Sequence, residues 1–248
     1  MKLFRKMIKR KNMIKILAIG NSFSQNATEL LQLFDNNLYV RNLFVPACSL
    51  QMHCENIRGN VKAYDYMENG ANVRPDKVSI EDALLSEKWD YITVQQASAF
   101  SGQAESYYPY LTELVNYVKK YSDAEIVFHE TWAYENGSPH AQFYLYNKDR
   151  RTMYESIVKA SEEVTKKENL RMIRAGEAVE KLRSYDMFLP EKGGLALTCD
   201  GHHLSENYGR FLAAGVWLKF FTGNLPDYLN REELSEPFKA IKSVLEEI

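Results

Sequence analysis

An aspartate and a histidine near the end of the chain form the pattern with the clearest chemical meaning. Asp200 precedes His203 by three positions in the segment Asp-Gly-His-His. At this spacing a carboxylate can hold one imidazole nitrogen while the other nitrogen faces outward. Ser22, near the start of the chain, supplies a hydroxyl that such a histidine could deprotonate. The three residues together predict the catalytic machinery of a serine hydrolase.

Each of these residues has a defined role in that prediction. Ser22 is the nucleophile, and Asp200 orients and electrostatically supports His203. His203 takes the proton from Ser22 and later returns it to the leaving group. His202 is an alternative base, although the Asp-x-x-His spacing favours His203. A serine that follows a strand often only caps the next helix, and this alternative for Ser22 stays open.

Acyl transfer also requires hydrogen-bond donors for the negative charge that develops on the carbonyl oxygen. The backbone N–H of Ser22 lies at a predicted helix start, where N–H groups lack partners within the helix. We predict the backbone N–H of Ala47 as a second donor and the side-chain amide of Gln96 as a third. Loop packing for Ala47 and a structural amide at a strand end for Gln96 are the alternatives.

Short apolar segments alternate with helical patterns along the chain. Strands are predicted over 14–19, 38–45, 91–94, 124–128 and 170–173. Helices are predicted after 24–26, over 80–85, 107–120 and 153–167, and between His203 and Gly223. This alternation predicts a three-layer αβα sandwich whose sheet is mostly parallel and five-stranded. The polar, turn-rich segment 61–77 is interpreted as a surface excursion.

The candidate residues follow the predicted strands in a regular way. Ser22 follows the first strand, Ala47 the second, Gln96 the third and Trp132 the fourth. In open parallel sheets, ligands bind at the carboxyl ends of the strands. We therefore expect all four positions to lie along one edge of the sheet.

The composition indicates an ordinary globular protein. Of 248 residues, 45% are hydrophobic and 26% are charged, and the net charge of −2 gives no support for a nucleic-acid partner. Residues 1–12 are predicted to be a basic leader that precedes a single domain over 13–248. The leader lacks the apolar run of a secretory signal, and no apolar stretch of about twenty residues predicts a membrane span. A cytoplasmic location without a membrane partner is the resulting prediction, and the oligomeric state is left open.

The cysteine and histidine patterns argue against a metal or a cofactor. Three cysteines occur, without a Cys-x-x-Cys pair, and their odd number disfavours both a disulfide framework and a thiolate zinc site. His129 and Glu130 do not begin a His-Glu-x-x-His zinc motif, because position 133 is an alanine. We therefore predict a mechanism that needs no metal and no cofactor.

These motifs resemble the signature blocks of the SGNH/GDSL hydrolase superfamily. Those blocks are a Gly-Asp-Ser near the N-terminus, a glycine after the second strand, a Gly-x-Asn-Asp after the third strand and a final Asp-x-x-His. Here Gly20-Asn21-Ser22 resembles the first block with an asparagine in place of the aspartate, and residues 200–203 match the last block. Ala47 stands in place of the block-two glycine, and Gln96 in place of the block-three asparagine. The whole set is similar to an uncharacterised bacterial branch of the superfamily.

The resemblance implies a serine esterase that acts on small acyl esters, and acetyl groups on carbohydrate are a common target in this superfamily. Some of its carbohydrate esterases carry a His-Gln-Gly-Glu block that resembles residues 95–98. Asn21, Trp132 and Tyr134 are then the predicted substrate-binding residues, unless the two aromatic rings belong to the core. A lipid esterase or acyl-thioesterase and a non-catalytic carbohydrate-binding relative are the alternatives.

Overall fold

The computed structural model describes residues 13–248, and the predicted basic leader over 1–12 lies outside the described residues. The strands are β1 (Ile14–Gly20), β2 (Leu38–Phe44), β3 (Asp65–Glu68), β4 (Ala71–Asn72), β5 (Tyr91–Val94), β6 (Glu125–His129) and β7 (Arg171–Ile173). The α-helices are α1 (Ser22–Thr28), α2 (Leu31–Phe34), α3 (Leu50–Arg58), α4 (Ile80–Ser86), α5 (Tyr110–Tyr121), α6 (Arg150–Glu168), α7 (Ala175–Leu182), α8 (Gly209–Thr222) and α9 (Glu236–Glu247).

The seven strands found within residues 13–248 form one sheet in the order β4-β3-β2-β1-β5-β6-β7. Strands β1, β2, β5, β6 and β7 run parallel to one another. These are the five strands that the sequence predicts, and the αβα sandwich with a mostly parallel sheet is confirmed.

Both faces of the sheet are buried, which explains why its parallel strands consist mainly of apolar residues. Successive side chains of a strand point to opposite faces. In β1, Ile16 and Ala18 pack into one core, while Leu17 and Ile19 pack into the other. Helices α1, α2, α7, α8 and α9 cover the first face, and α3, α4 and α5 cover the second. Helices on both faces are the usual cover of a parallel sheet.

The polar segment 61–77 extends the sheet, so its prediction as a surface excursion is wrong. Strand β3 pairs antiparallel with β2, and β4 pairs antiparallel with β3. Between them, Asn69 and Gly70 have φ angles of 47° and 79°. Positive φ at both central residues is the geometry of a tight hairpin turn, for which Asn-Gly is the preferred pair. This dipeptide was the available sequence signal for the hairpin.

The sheet gives the candidate residues one common edge. Strand β1 ends just before Ser22, β2 just before Ala47, β5 just before Gln96 and β6 just before Trp132. Parallel strands direct their carboxyl ends to the same side, so all four loops meet there. Among the described residues, no helix combines the length and the apolar character needed to cross a bilayer.

Candidate active site

Ser22, His203 and Asp200 are connected by hydrogen bonds. The Nε2 atom of His203 lies 2.9 Å from the Ser22 hydroxyl, and its Nδ1 atom lies 2.7 Å from a carboxylate oxygen of Asp200. Because an ionised carboxylate only accepts hydrogen bonds, Nδ1 carries the proton of the neutral imidazole. Nε2 is then the acceptor for the Ser22 O–H. The arrangement can therefore move a proton from a hydroxyl to an imidazole that a carboxylate orients.

The Asp200 carboxylate is held in its charged form. Burial raises its pKa, but hydrogen bonds from the side chain and backbone of His203 and from the backbone of His202 outweigh burial and lower this pKa to about 2. The backbone N–H groups of His202 and His203 donate to Oδ1 at 3.0 and 2.7 Å. Asp200 is therefore an anion at any pH at which an imidazole is neutral.

The loop that carries Asp200 and His203 is a short hairpin. Thr198 and Leu204 form an antiparallel bridge, and the Cys199 N–H donates to the His203 carbonyl at 2.8 Å. At its turn, Gly201 has a φ of 87°, and a Cβ atom there would lie 2.9 Å from the Ser138 Cα. This position needs glycine because both the backbone conformation and the close neighbour exclude a side chain.

The segment that follows β6 holds this hairpin in place. The Trp132 indole N–H donates to the His202 carbonyl at 2.8 Å, and the Glu135 N–H donates to the Gly201 carbonyl at 2.9 Å. A carboxylate oxygen of Glu135 accepts from the N–H groups of Leu197 and Thr198, both at 3.1 Å. No sequence pattern had indicated this role of the Glu135 side chain.

Ser22 is the first residue of α1, directly after its cap Asn21. The Asn21 side chain accepts from the Phe23 N–H at 2.9 Å, and its amide donates to the Cys48 carbonyl at 3.1 Å. Asn21 is only 2% exposed. The prediction that it binds substrate is corrected, because its side chain joins α1 to the loop after β2.

Two backbone N–H groups at the carboxyl edge are free to act as donors. Within residues 13–248, neither the Ser22 N–H nor the Ala47 N–H has a hydrogen-bond partner. Ala47 is exposed and has a φ of 51°, a left-handed conformation that favours glycine. The alanine thus adopts the backbone conformation that a glycine would at this position.

Gln96 does not supply a third donor, and that prediction is corrected. Its amide nitrogen donates to the carbonyl and the hydroxyl of Ser106, both at 3.0 Å. Its oxygen accepts from the N–H groups of Leu50 and Ala97. Every polar group of this buried side chain is therefore engaged in fixing loops.

Gln95, which the sequence reasoning passed over, lies beneath the nucleophile instead. Its amide nitrogen donates to the Asn21 side-chain oxygen at 2.8 Å, and its oxygen lies 3.0 Å from Nδ1 of His129. Burial lowers the pKa of His129 to about 3, so this ring is neutral and Nδ1–H is the donor. A series of hydrogen bonds thus connects the side chains of His129, Gln95 and Asn21 with the carbonyl of Cys48.

The two aromatic residues that were predicted to bind substrate belong to the core. Trp132 and Tyr134 are both 0% exposed, and Trp132 stacks on Phe23 with the ring centres 4.3 Å apart. The Tyr134 hydroxyl bonds Ser98 at 2.8 Å. Neither ring can lie against a sugar, and the prediction that they bind substrate is corrected.

Other imidazoles lie beside His203. The rings of His202 and His203 are 4.1 Å apart, and those of His140 and His202 are 4.9 Å apart. Burial lowers the pKa of both His140 and His202, and the neighbouring His203 lowers it further.

Asp200, His202 and His203 also offer a set of atoms that could hold a metal ion, since one ligand atom from each lies within 4.8 Å of the others.

A large cavity of the protein does not coincide with the candidate site of Ser22, Asp200 and His203. A cavity of about 690 Å³ lies between residues 33–37 and 223–230, near the start of β2. It therefore opens at the edge of the sheet opposite to Ser22. The side chains after β1 and before α8, and not the shape of the surface, identify the candidate site.

Comparisons with known proteins agree with this architecture. Residues 15–232 match the model of a family described as a domain of unknown function, DUF4886. A DUF4886 family protein of known structure from Bacteroides uniformis is 34% identical, with 94% of this chain and 93% of that chain covered and a TM-score of 0.83. No protein of curated function matches the sequence.

More distant structures share the fold. The acetylxylan esterase Axe2 from Geobacillus stearothermophilus is 14% identical with a TM-score of 0.55, and the match covers 85% of this chain and 95% of that chain. A candidate SGNH hydrolase from Slackia heliotrinireducens is 19% identical with a TM-score of 0.57, covering 85% of this chain and 100% of that chain. The chain therefore belongs to the DUF4886 family, and it has the fold of the SGNH hydrolases.

Proposed function

We propose that this protein is a serine esterase that removes small acyl groups, acetyl above all, from carbohydrate esters. The observation that carries the proposal is the hydrogen-bonded series from the Ser22 hydroxyl through His203 to Asp200, with distances of 2.9 and 2.7 Å. Nucleophile, base and orienting carboxylate lie within the reach that acyl transfer requires. A protein that only binds carbohydrate would not need Ser22, His203 and Asp200 in hydrogen-bond contact, which argues against a non-catalytic relative.

The proposed reaction begins with attack of the Ser22 oxygen on the ester carbonyl. His203 takes the Ser22 proton at Nε2, and Asp200 stabilises the imidazolium that forms. The N–H groups of Ser22 and Ala47 stabilise the oxyanion of the tetrahedral intermediate. His203 then protonates the departing alcohol, and an acyl-serine remains. Water, deprotonated by His203, hydrolyses this acyl-serine and restores the free hydroxyl.

The alcohol part of the ester is proposed from the openness of the site and from the fold. The side chains of His203 and Asp200 are 31% and 41% exposed, so a bulky alcohol can approach them. Axe2, which shares this fold, is an acetylxylan esterase. We therefore propose a small acyl group on a sugar or an oligosaccharide as the substrate.

The first experiment tests the nucleophile. Ser22→Ala should lower the turnover of p-nitrophenyl acetate by at least about 10³-fold, because the covalent route is removed. The matched control is Ser235→Ala, which alters an exposed serine that makes no capping hydrogen bond. Wild-type turnover in the Ser22→Ala protein would refute the proposal.

A second experiment tests the substrate class. Hydrolysis of p-nitrophenyl acetate, butyrate and octanoate is compared with acetate release from acetylated xylo-oligosaccharides. The proposal predicts the highest kcat/KM for acetyl esters. A preference for octanoate would favour the lipid esterase, and glycan binding without turnover of any ester would favour the non-catalytic relative.

A further inference from the structure

His202 has no part in the proposed reaction, yet its ring lies against the Asp200 carboxylate. Its Nδ1 atom lies 3.1 Å from Oδ1 of Asp200. The two atoms are not aligned for a hydrogen bond, and this buried nitrogen has no partner within residues 13–248. Unpaired buried polar atoms are rare and costly, so a nitrogen without a partner beside an anion calls for an explanation.

The surrounding atoms form a ligand set for a transition metal. Oδ1 of Asp200 lies 3.1 Å from Nδ1 of His202, and Oδ2 of Asp200 lies 2.7 Å from Nδ1 of His203. In a tetrahedral zinc site with bonds of about 2.0 Å, neighbouring ligand atoms are about 3.3 Å apart. The two distances between Asp200 and the imidazoles are near this value, and one ligand atom from each of the three residues lies within 4.8 Å of the others. Side-chain shifts would therefore bring one carboxylate and two imidazoles to zinc-binding distances.

We propose that Asp200, His202 and His203 form an inhibitory site for a divalent transition-metal ion, with Zn²⁺ as the best match. Imidazole and carboxylate ligands suit zinc, whereas Mg²⁺ prefers sites made of oxygen atoms alone. The Asp200 side chain is 41% exposed, which gives an ion access from solvent. Water would complete the coordination.

Binding at this site would disable His203 as a base. The metal bonds to the Nδ1 lone pair of His203, so the proton that Nδ1 carries moves through solvent to Nε2. Nε2 then has a hydrogen and no free lone pair, and it cannot accept the Ser22 proton. The neutral ring keeps its single proton throughout, so only the tautomer changes. This inhibition rests on the proposed function, but the metal binding does not.

Binding is measured first, without reference to activity. The Ser22→Ala protein is titrated with Co²⁺ to follow ligand-field absorption, and with Zn²⁺ in competition with a chromophoric chelator. One equivalent of metal ion should bind. In the double variant that carries both Ser22→Ala and His202→Ala, binding should be weaker by at least about tenfold, because one ligand is lost. The matched control, His140→Ala, removes a neighbouring imidazole outside the ligand set and should leave binding unchanged.

Inhibition is measured next on the otherwise unmodified enzyme. Zn²⁺ should abolish p-nitrophenyl acetate hydrolysis, a chelator should restore it, and the same concentration of Mg²⁺ should have no effect. Each variant is normalised to its own activity in chelator, and His202→Ala should need at least about tenfold more Zn²⁺ for half inhibition. Thermal unfolding verifies that each variant is folded, and His202→Gln replaces the alanine variant if it is not.

Two results would overturn the site. One is equal zinc affinity with and without the His202 ring, and the other is loss of binding only in His140→Ala. An absence of esterase activity in all proteins would defeat the proposed function alone, since the cobalt and zinc titrations would still decide the metal site.

Discussion

Gln95 shows how one residue connects the nucleophile to the sheet. It accepts a hydrogen bond from His129 and donates one to Asn21, the cap of the helix that begins with Ser22. Asn21 in turn holds the carbonyl of Cys48, next to the free N–H of Ala47. The position of a proposed oxyanion donor thus depends on a buried side chain that never meets the substrate.

Replacing Gln95 by leucine should therefore lower kcat by about tenfold or more while changing KM little. The substitution leaves the Nδ1–H of His129 unpaired, so the free energy of unfolding should also fall by about 1–3 kcal/mol. Steady-state kinetics and urea denaturation measure the two effects. Gln51→Ala, on the exposed face of α3, is the matched control. An unchanged kcat in a destabilised Gln95→Leu protein would reduce this residue to a structural role.

The buried carboxyl group of Glu130 should make the stability of the protein depend on pH. This side chain is 0% exposed, and one of its oxygens accepts from the Glu177 N–H at 2.8 Å. Burial raises its pKa to about 7, against about 4.3 in an unfolded chain. The folded state therefore binds more protons between these values, and its stability falls as the pH rises from about 4.3 to about 7.

Glu130→Gln should remove this decline, because glutamine keeps an acceptor for the Glu177 N–H and does not titrate. Between pH 5 and pH 8, the wild type should lose roughly 2–3 kcal/mol more of its free energy of unfolding than the variant. Urea denaturation at several pH values measures the difference. Parallel pH curves for the two proteins would contradict the assignment.

At the level of the elements, the segment after β6 holds the hairpin that carries Asp200 and His203. Glu135 accepts from two backbone N–H groups of that hairpin, and its carboxylate lies 3.8 Å from the guanidinium of the buried Arg183. Glu180 lies 3.6 Å from the same guanidinium. The hairpin is thus connected through Glu135 to the buried guanidinium of Arg183.

Glu135→Ala should lower the free energy of unfolding by about 3 kcal/mol, because it leaves the Arg183 charge with one partner fewer. The kcat should fall by at least about tenfold, because Asp200 and His203 lose their support. Glu135→Gln keeps an acceptor for the hairpin N–H groups, so it should retain more kcat than the alanine variant at a similar loss of stability. Equal kcat in the two variants would show that the acceptor does not position the hairpin.

The elements also show where sequence patterns succeed and fail. Apolar, β-branched segments predicted all five parallel strands, because strands buried on both faces contain few polar residues. Helices α3, α7 and α9 were not predicted. The end of α8 before Gly223 was predicted correctly, but the helix begins at Gly209 and not directly after His203, and its burial on nearly all sides was not predicted. A pattern along the chain describes one element at a time, and packing against several neighbours is a property of the whole fold.

At the scale of the whole molecule, the parallel sheet explains why distant segments meet. Ser22 and His203 are 181 positions apart, yet they form one hydrogen bond. The Asp-x-x-His pattern, together with a serine after the first strand, predicted this meeting from the sequence. The rule that parallel strands end at one edge predicted that Ser22, Ala47, Gln96 and Trp132 share that edge. It could not choose between Gln95 and Gln96, because adjacent residues point to opposite sides, nor could it show that Trp132 and Tyr134 are buried. Those distinctions depend on tertiary contacts that no local spacing encodes.

Covalent labelling by a fluorophosphonate probe examines the nucleophile itself, because the probe reacts preferentially with an activated serine hydroxyl. Ser22 should be modified stoichiometrically, as assigned by peptide mass spectrometry. Labelling should be lost in Ser22→Ala and slowed at least about 10³-fold in His203→Ala, while Ser235→Ala should be labelled like the wild type. An unmodified Ser22 in the folded wild-type protein, or equal labelling without the His203 imidazole, would show that Ser22 is not a nucleophile activated by His203.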